Sequence, residues 1–149
     1  MRPVSTWQRR TRSGNSLARA AFDTKISIMG GQEEWSIVFY RDEHGASPVL
    51  EFLRSLDADA QASIGWAIEQ LRVRNVQARE PLVRHLEDKL WELRRESKRN
   101  IYRLLYFFFT GRRIVLVHGF QKKTQKTPRQ EIAVARARYM AFMQREGGE

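Results

Sequence analysis

The chain has 149 residues, of which 42% are hydrophobic, enough for one packed domain and a short extension. Its 27 Lys and Arg residues outnumber 17 Asp and Glu residues, and the net charge of +10 favours nucleic acid or another anionic partner. Cysteine is absent, which excludes disulfides and thiolate metal sites and is typical of the reducing cytoplasm. No apolar run approaches the ~18 residues of a membrane span.

Residues 1–30 form a basic extension rich in Arg and Ser, and a single domain is predicted over residues 31–149. The composition of the extension predicts disorder, or sequence upstream of a true start at Met29. Two other interpretations remain open: a basic arm that adds phosphate affinity, and an organellar targeting peptide.

The first half of the domain predicts one strand and two helices. Residues 35–40 are β-branched and aromatic, which indicates a strand. Ser47 as N-cap and Pro48 in the first turn open a helix, and Asp57 caps a second helix that runs to about Asn75. Apolar residues at helical spacing form the buried faces: Val49, Phe52, Leu53 and Leu56, then Ala60, Ile64, Ala67, Ile68 and Leu71.

The second half predicts three strands and a final helix. Pro81 opens a basic connection, and strands follow at residues 89–94, 101–109 and 114–120. Thr127 and Gln130 form a capping box at the start of the last helix, whose buried stripe is Ile132, Ala135, Tyr139, Phe142 and Met143. This order predicts an α+β fold: an antiparallel sheet with an N-terminal helical hairpin and a C-terminal helix. Both faces of the sheet are predicted to be covered.

One stretch is strongly basic and lacks acidic residues. No Asp or Glu lies between Glu96 and Glu131, whereas nine cations do: Lys98, Arg99, Arg103, Arg112, Arg113, Lys122, Lys123, Lys126 and Arg129. This pattern predicts an anion-binding surface. The shortage of carboxylates argues against a Mg²⁺-dependent nuclease, and we expect no cofactor.

A two-residue turn at Thr110-Gly111 would place Arg103 directly opposite His118. Arg103 would hold phosphate oxygens, His118 would carry a proton, and Phe120 or Tyr102 would stack on a base. RNA supplies its own nucleophile, the 2′-OH, so cleavage requires no metal. The residues alone predict an RNA- or DNA-binding domain or a metal-free ribonuclease.

Each candidate also has a structural interpretation. His118 would be a structural histidine, Arg94 would pair with Glu92 or Glu96, and Tyr102 would lie in the core. The lysines of residues 122–126 would then be a solvated loop.

Three motifs resemble the RelE/ParE superfamily of type II toxins, and most of all its HigB-like, phage-derived branch. They are Leu90-Trp-Glu-Leu-Arg94, Tyr102-Arg103-Leu-Leu-Tyr106-Phe107, and the segment from Ile114 to Pro128 that contains His118-Gly-Phe120-Gln-Lys122-Lys123. The likeness covers about residues 35–145. It implies a cytoplasmic toxin that cleaves mRNA on the translating ribosome and is neutralised by an antitoxin, often a helix-turn-helix protein.

The resemblance also implies roles for individual residues. Arg94 and Arg103 would contact the scissile phosphate, Lys122 and Lys123 would bind the RNA backbone and could transfer protons, and His118 would act as general base or acid. The RNA-binding set is Lys123, Lys126, Phe120, Tyr102 and Lys89. The superfamily also contains gyrase inhibitors that cleave no RNA, so a non-nuclease toxin and an inactive phage-derived nucleic-acid-binding protein remain alternatives.

Overall fold

The computed structural model describes residues 34–123 and 126–147. The predicted extension over residues 1–30 lies outside the described residues. The strands are β1 (Ser36–Phe39), β2 (Val83–Glu87), β3 (Leu90–Ser97), β4 (Asn100–Phe109) and β5 (Arg113–Lys122). The helices are α1 (Pro48–Arg54), α2 (Ala58–Arg74) with a 3₁₀ turn at Asn75–Gln77, and α3 (Arg129–Phe142), which continues into a π-helical turn at Met143–Gly147.

The strands form one sheet in the order β1-β5-β4-β3-β2. Strand β1 is parallel to β5, and the other neighbours are antiparallel. The α+β fold is therefore confirmed, and it is consistent with a RelE-like fold. None of the described helices is long and apolar enough to cross a membrane.

Strand β2 occupies the region that was predicted to be a connection. It is a short edge strand in which Val83 is the one fully buried residue, so its sequence carries little alternation. This segment is a strand because it pairs with β3, and not because apolar and polar residues alternate in its own sequence.

The sheet has a hydrophobic core on each of its two faces. The first lies under α1 and α2 and contains Leu53, Ile68, Leu104, Tyr106 and Leu116. The second lies under α3 and is made of the residues that alternate with the first set on β4 and β5: Leu105, Phe107, Val115 and Val117, with Ile132, Ala135 and Phe142 of α3. Each large apolar side chain buried in this way stabilises the fold by about 1.5–3 kcal/mol. The prediction that both faces are covered is confirmed.

The two caps of the helical hairpin are confirmed. Ser47 accepts a hydrogen bond from the Leu50 N–H at 3.3 Å, and Asp57 accepts one from the Ala60 N–H at 2.8 Å. The predicted capping box of the last helix is wrong. Helix α3 begins after Pro128 with no side-chain cap, because the Thr127 hydroxyl donates instead to the Glu92 carboxylate at 2.8 Å.

The predicted register between β4 and β5 is wrong. Three residues form the turn, so Phe109 pairs with Arg113, and residues 111 and 112 have positive φ angles of 80° and 56°. A bulge at Leu105 and Tyr106 shifts the register again. Arg103 consequently lies opposite Phe120, while His118 lies opposite Leu105.

Glycine is required at position 119 because α1 packs closely on β5. A Cβ atom there would lie 2.7 Å from the Phe52 ring and 2.8 Å from a Leu104 methyl group. The absence of a side chain lets α1 contact the sheet directly behind the segment that carries His118 and Phe120.

Candidate functional site

Four neighbouring strands each contribute one cation to the α3 side of the sheet, beside the start of that helix. These residues, here named the cationic cluster, are Arg84 of β2, Arg94 of β3, Arg103 of β4 and Lys122 of β5. Arg94 and Arg103 are direct cross-strand partners. Like charges placed opposite each other are unfavourable, so the arrangement indicates a site shaped for an anion.

A buried carboxylate lies within the cationic cluster. Glu92 is fully buried, and its Oε2 lies 2.8 Å from Nε of Arg103 and accepts the Thr127 hydrogen bond. Arg103 and Glu92 therefore form a buried ion pair. Glu92 Oε1 has no hydrogen-bond partner among the described residues. One carboxylate thus offsets part of the charge of four cations.

Burial changes the acidity of two members of the cluster. Lys122 is only 9% exposed, and burial, followed by the charge of Arg103, lowers its pKa, while Glu92 opposes the change. Burial also lowers the pKa of Arg103, again against the effect of Glu92. A lysine with a lowered pKa gives up its proton more readily than an ordinary lysine does.

His118 bridges β5 and α3. Its Nε2 lies 2.5 Å from Glu131 Oε1, and its Nδ1 lies 3.2 Å from an Arg138 nitrogen. Because arginine only donates, Nδ1 accepts and the proton lies on Nε2, which donates to Glu131. Burial lowers the His118 pKa, and Glu131 opposes this. Both ring nitrogens are engaged within the fold, and the proton-carrier role stays a prediction.

The structure brings together three of the four predicted catalytic residues, Arg94, Arg103 and Lys122. Of the predicted RNA-binding residues, Phe120 is 8% exposed and stacks on the His118 ring, with the centroids 5.5 Å apart. Tyr102 lies in the core on the opposite face, near Phe52.

The three remaining lysines lie around the cluster at different distances. Lys123 is exposed immediately after β5. Lys126 is exposed beside Arg84 at the approach to α3. Lys89 is exposed at the turn before β3, five positions along the chain from Arg94 and so at the far end of that strand.

The expectation of a site without carboxylates is wrong, because Glu92 and Glu131 both enter it. The alternation of side chains along β3 could have predicted the position of Glu92. Glu92 lies two residues before Arg94 and is therefore on the same face of the sheet. Arg84 was missed because β2 was taken for a connection. No described residues form a group of three or more His, Asp or Glu side chains able to hold a metal ion.

The α+β fold, with its cluster of cations on the α3 side of the sheet, is consistent with a class of proteins, the RelE/ParE-like toxin superfamily. Within that superfamily, the chain belongs to the phage derived protein Gp49-like family, which matches residues 51–140. Members of this family are often ribonuclease toxins. The matched segment includes the whole cationic cluster. Comparison with curated proteins gives no match.

Proposed function

We propose that this protein is the toxin of a type II toxin–antitoxin system, of the HigB-like branch, and that it cleaves mRNA on the translating ribosome. The observation that supports this most directly is the cationic cluster of Arg84, Arg94, Arg103 and Lys122. The cognate antitoxin, a helix-turn-helix protein, is part of the same proposal, and the toxin acts in the cytoplasm.

The chemistry needs a phosphate clamp and a proton carrier. The RNA 2′-OH attacks the adjacent phosphorus, a 2′-oxygen–phosphorus bond forms, and the bond from phosphorus to the 5′-oxygen breaks. Arg94 and Arg103 hold the phosphate oxygens and stabilise their developing charge. Lys122, whose pKa is lowered by burial, accepts the 2′-OH proton in its neutral form, and the resulting ammonium group donates a proton to the departing 5′-oxygen. The products are a 2′,3′-cyclic phosphate and a 5′-hydroxyl end. Lys123 and Lys126 bind the flanking backbone.

One observation favours a second candidate. Glu131 and Arg138 engage both nitrogens of His118, so the histidine expected to transfer protons serves as a bridge between strand and helix. A toxin of the same superfamily that inhibits its target without cutting RNA, such as a gyrase inhibitor, would act through protein contacts and would need no proton carrier. An inactive phage-derived nucleic-acid-binding protein would need only the anion-binding surface.

Primer extension on a reporter mRNA in a translating extract tests the proposal. Arg94→Ala is the most informative variant, because Arg94 is half-buried and makes no ion pair among the described residues. A loss of activity in Arg103→Ala would be harder to interpret, because this substitution leaves Glu92 buried without its charged partner and destabilises the fold. Arg54→Ala, which removes an exposed cation of α1 outside the cluster, is the matched control.

New 5′ ends that require ribosomes, persist in Arg54→Ala and disappear in Arg94→Ala are the expected result. Intact message with blocked translation would replace the nuclease with a non-cleaving inhibitor. Intact message with normal translation, accompanied by DNA damage in cells, would identify a gyrase-directed toxin.

A further inference from the structure

A groove of about 520 Å³ leads away from the cationic cluster over the edge of β3. Arg94 and Arg103 line its inner end, and they belong to the cluster. Trp66 and Arg74 of α2 line it further out, together with Arg95 of β3. The groove therefore connects the proposed phosphate site with the outer surface of the helical hairpin.

The groove exists because β2 pairs with only part of β3. The last paired residue is Leu93, opposite Val83, and the Arg94 N–H then donates to the Leu82 carbonyl at 2.8 Å. Beyond this point β3 continues to Ser97 as an edge of the sheet. Successive side chains on a strand point to opposite faces, so Arg94 faces the cluster and Arg95 faces α2.

The far end of the groove presents an aromatic ring held beside a cation. Trp66 is 49% exposed, and the Arg95 guanidinium lies 4.4 Å from the centre of its ring. Arg95 is fixed by a 2.7 Å hydrogen bond from its Nε to the Ser63 hydroxyl. An indole positioned by a cation on one side offers its remaining surface for stacking, as aromatic platforms do in proteins that bind single strands.

The charges of the groove favour a polyanion. Four arginines line it against one carboxylate, Glu96, which is exposed at the rim. Neither Arg74 nor Arg94 makes an ion pair within the described part of the chain. An acidic peptide would satisfy the charges but would make no use of the aromatic platform. A nucleotide uses both.

We propose that this groove binds the nucleotide next to the scissile phosphate in single-stranded RNA, with its base stacked on Trp66 and its own phosphate on Arg74, while Arg94 holds the scissile phosphate. This subsite rests on the proposed function, since the scissile phosphate is the one assigned to Arg94 and Arg103. Trp66 contributes affinity and base preference without taking part in the proton transfers.

The test is binding of a fluorescein-labelled 2′-O-methyl RNA hexamer to the full chain, measured by fluorescence anisotropy. The methylated RNA lacks the 2′-OH nucleophile, so binding is read independently of cleavage. Trp66→Leu should weaken binding about 5- to 150-fold, the range for loss of one stacked base. Trp66→Phe should retain most of the affinity because it keeps a π face.

The control is Val73→Ala, which alters another exposed apolar residue of α2 that does not line the groove. Circular dichroism and urea unfolding would establish that each variant is folded. Equal affinity of wild type and Trp66→Leu would overturn the subsite and leave the proposed nuclease untouched. Trp66-dependent binding of a hexaglutamate peptide, with no RNA binding, would overturn it in favour of a protein partner. Trp66-dependent RNA binding by a protein that cleaves no message would retain the subsite and reject the nuclease.

Discussion

The Glu92 carboxylate lies 2.8 Å from the Arg103 guanidinium on the adjacent strand, and both side chains are almost fully buried. The two residues are diagonal neighbours, because Glu92 pairs with Leu105 and Arg103 pairs with Arg94. A buried cation without a counter-charge would be strongly destabilising. Glu92 is therefore the residue that allows Arg103 and Lys122 to be concentrated on one face of the sheet.

Replacing Glu92 by Gln should lower the free energy of unfolding by about 3–5 kcal/mol, because it leaves the charge of Arg103 buried and uncompensated. Urea denaturation followed by circular dichroism measures this. The comparison variant is Asp59→Asn, which removes an exposed partner of Lys98 and should change stability little. Equal stability of Glu92→Gln and wild type would show that the buried pair does not stabilise the fold.

The pKa of Lys122 should respond in opposite directions to its two charged neighbours. Glu92→Gln should lower the pKa further, because Glu92 stabilises the protonated amine. Arg103→Met should raise it, because Arg103 repels that proton. NMR titration of ¹³C-labelled lysine ε-carbons would follow both variants under conditions where they remain folded. Shifts in the same direction in both would contradict the electrostatic coupling assigned to the cluster.

Stability should fall at acidic pH through His118. Burial lowers its folded-state pKa below 6.5, the usual value for histidine, so well above pH 6.5 the ring is neutral in both states and contributes no pH dependence. As the pH falls below 6.5, the unfolded chain takes up the proton first, and the folded state loses relative stability. Glu131 and Arg138 are the charged groups that face the ring.

The measurement is the slope of unfolding free energy against pH between 5 and 8, by urea denaturation. His118→Gln should have a shallower slope than wild type. The absolute stability of the variant is not the criterion, since the substitution also alters the contact with Glu131. A steeper slope in the variant would mean that Glu131 outweighs burial and raises the histidine pKa.

Gly119→Ala should destabilise the fold by about 1–3 kcal/mol, because the added methyl group would overlap the Phe52 ring and a Leu104 methyl group. Urea unfolding of the variant checks the cost. In a Phe52→Leu background the same substitution should cost less, since one of the two opposing groups is smaller. If Gly119→Ala lowered the free energy of unfolding equally in both backgrounds, the overlap with the Phe52 ring would not be the cause of the destabilisation.

The features that the sequence predicted correctly depend on residues that lie close together in the chain. Ser47 and Asp57 cap their own helices, and the apolar spacing of α1 and α2 matches the buried faces. Thr127 has the same local signal, yet its hydroxyl goes to Glu92, which is 35 residues away in sequence. Long-range partners compete with local capping, and the sequence around Thr127 does not contain them.

The candidate site was predicted only in part, because its geometry also depends on contacts between residues that are distant in sequence. Arg94 and Arg103 were identified from the basic motifs and are cross-strand partners. The opposition of Arg103 to His118 failed because a third turn residue and the bulge at Leu105 shift the register. Tertiary packing sets both, and a single shift of register changes which side chains meet.

The parallel pairing of β1 with β5 has a consequence for synthesis. Ser36 pairs with Arg113 and Phe39 with Leu116. Strand β1 can therefore join the sheet only after β5, one of the last segments of the chain, has been translated. Contacts between such distant parts of the chain form slowly, because a long loop must close first. Lys122 also lies on β5, and a nascent chain that has not reached it has neither a closed sheet nor a complete cationic cluster. The surface proposed to bind the phosphate is therefore complete only after translation has passed the last strand of the sheet.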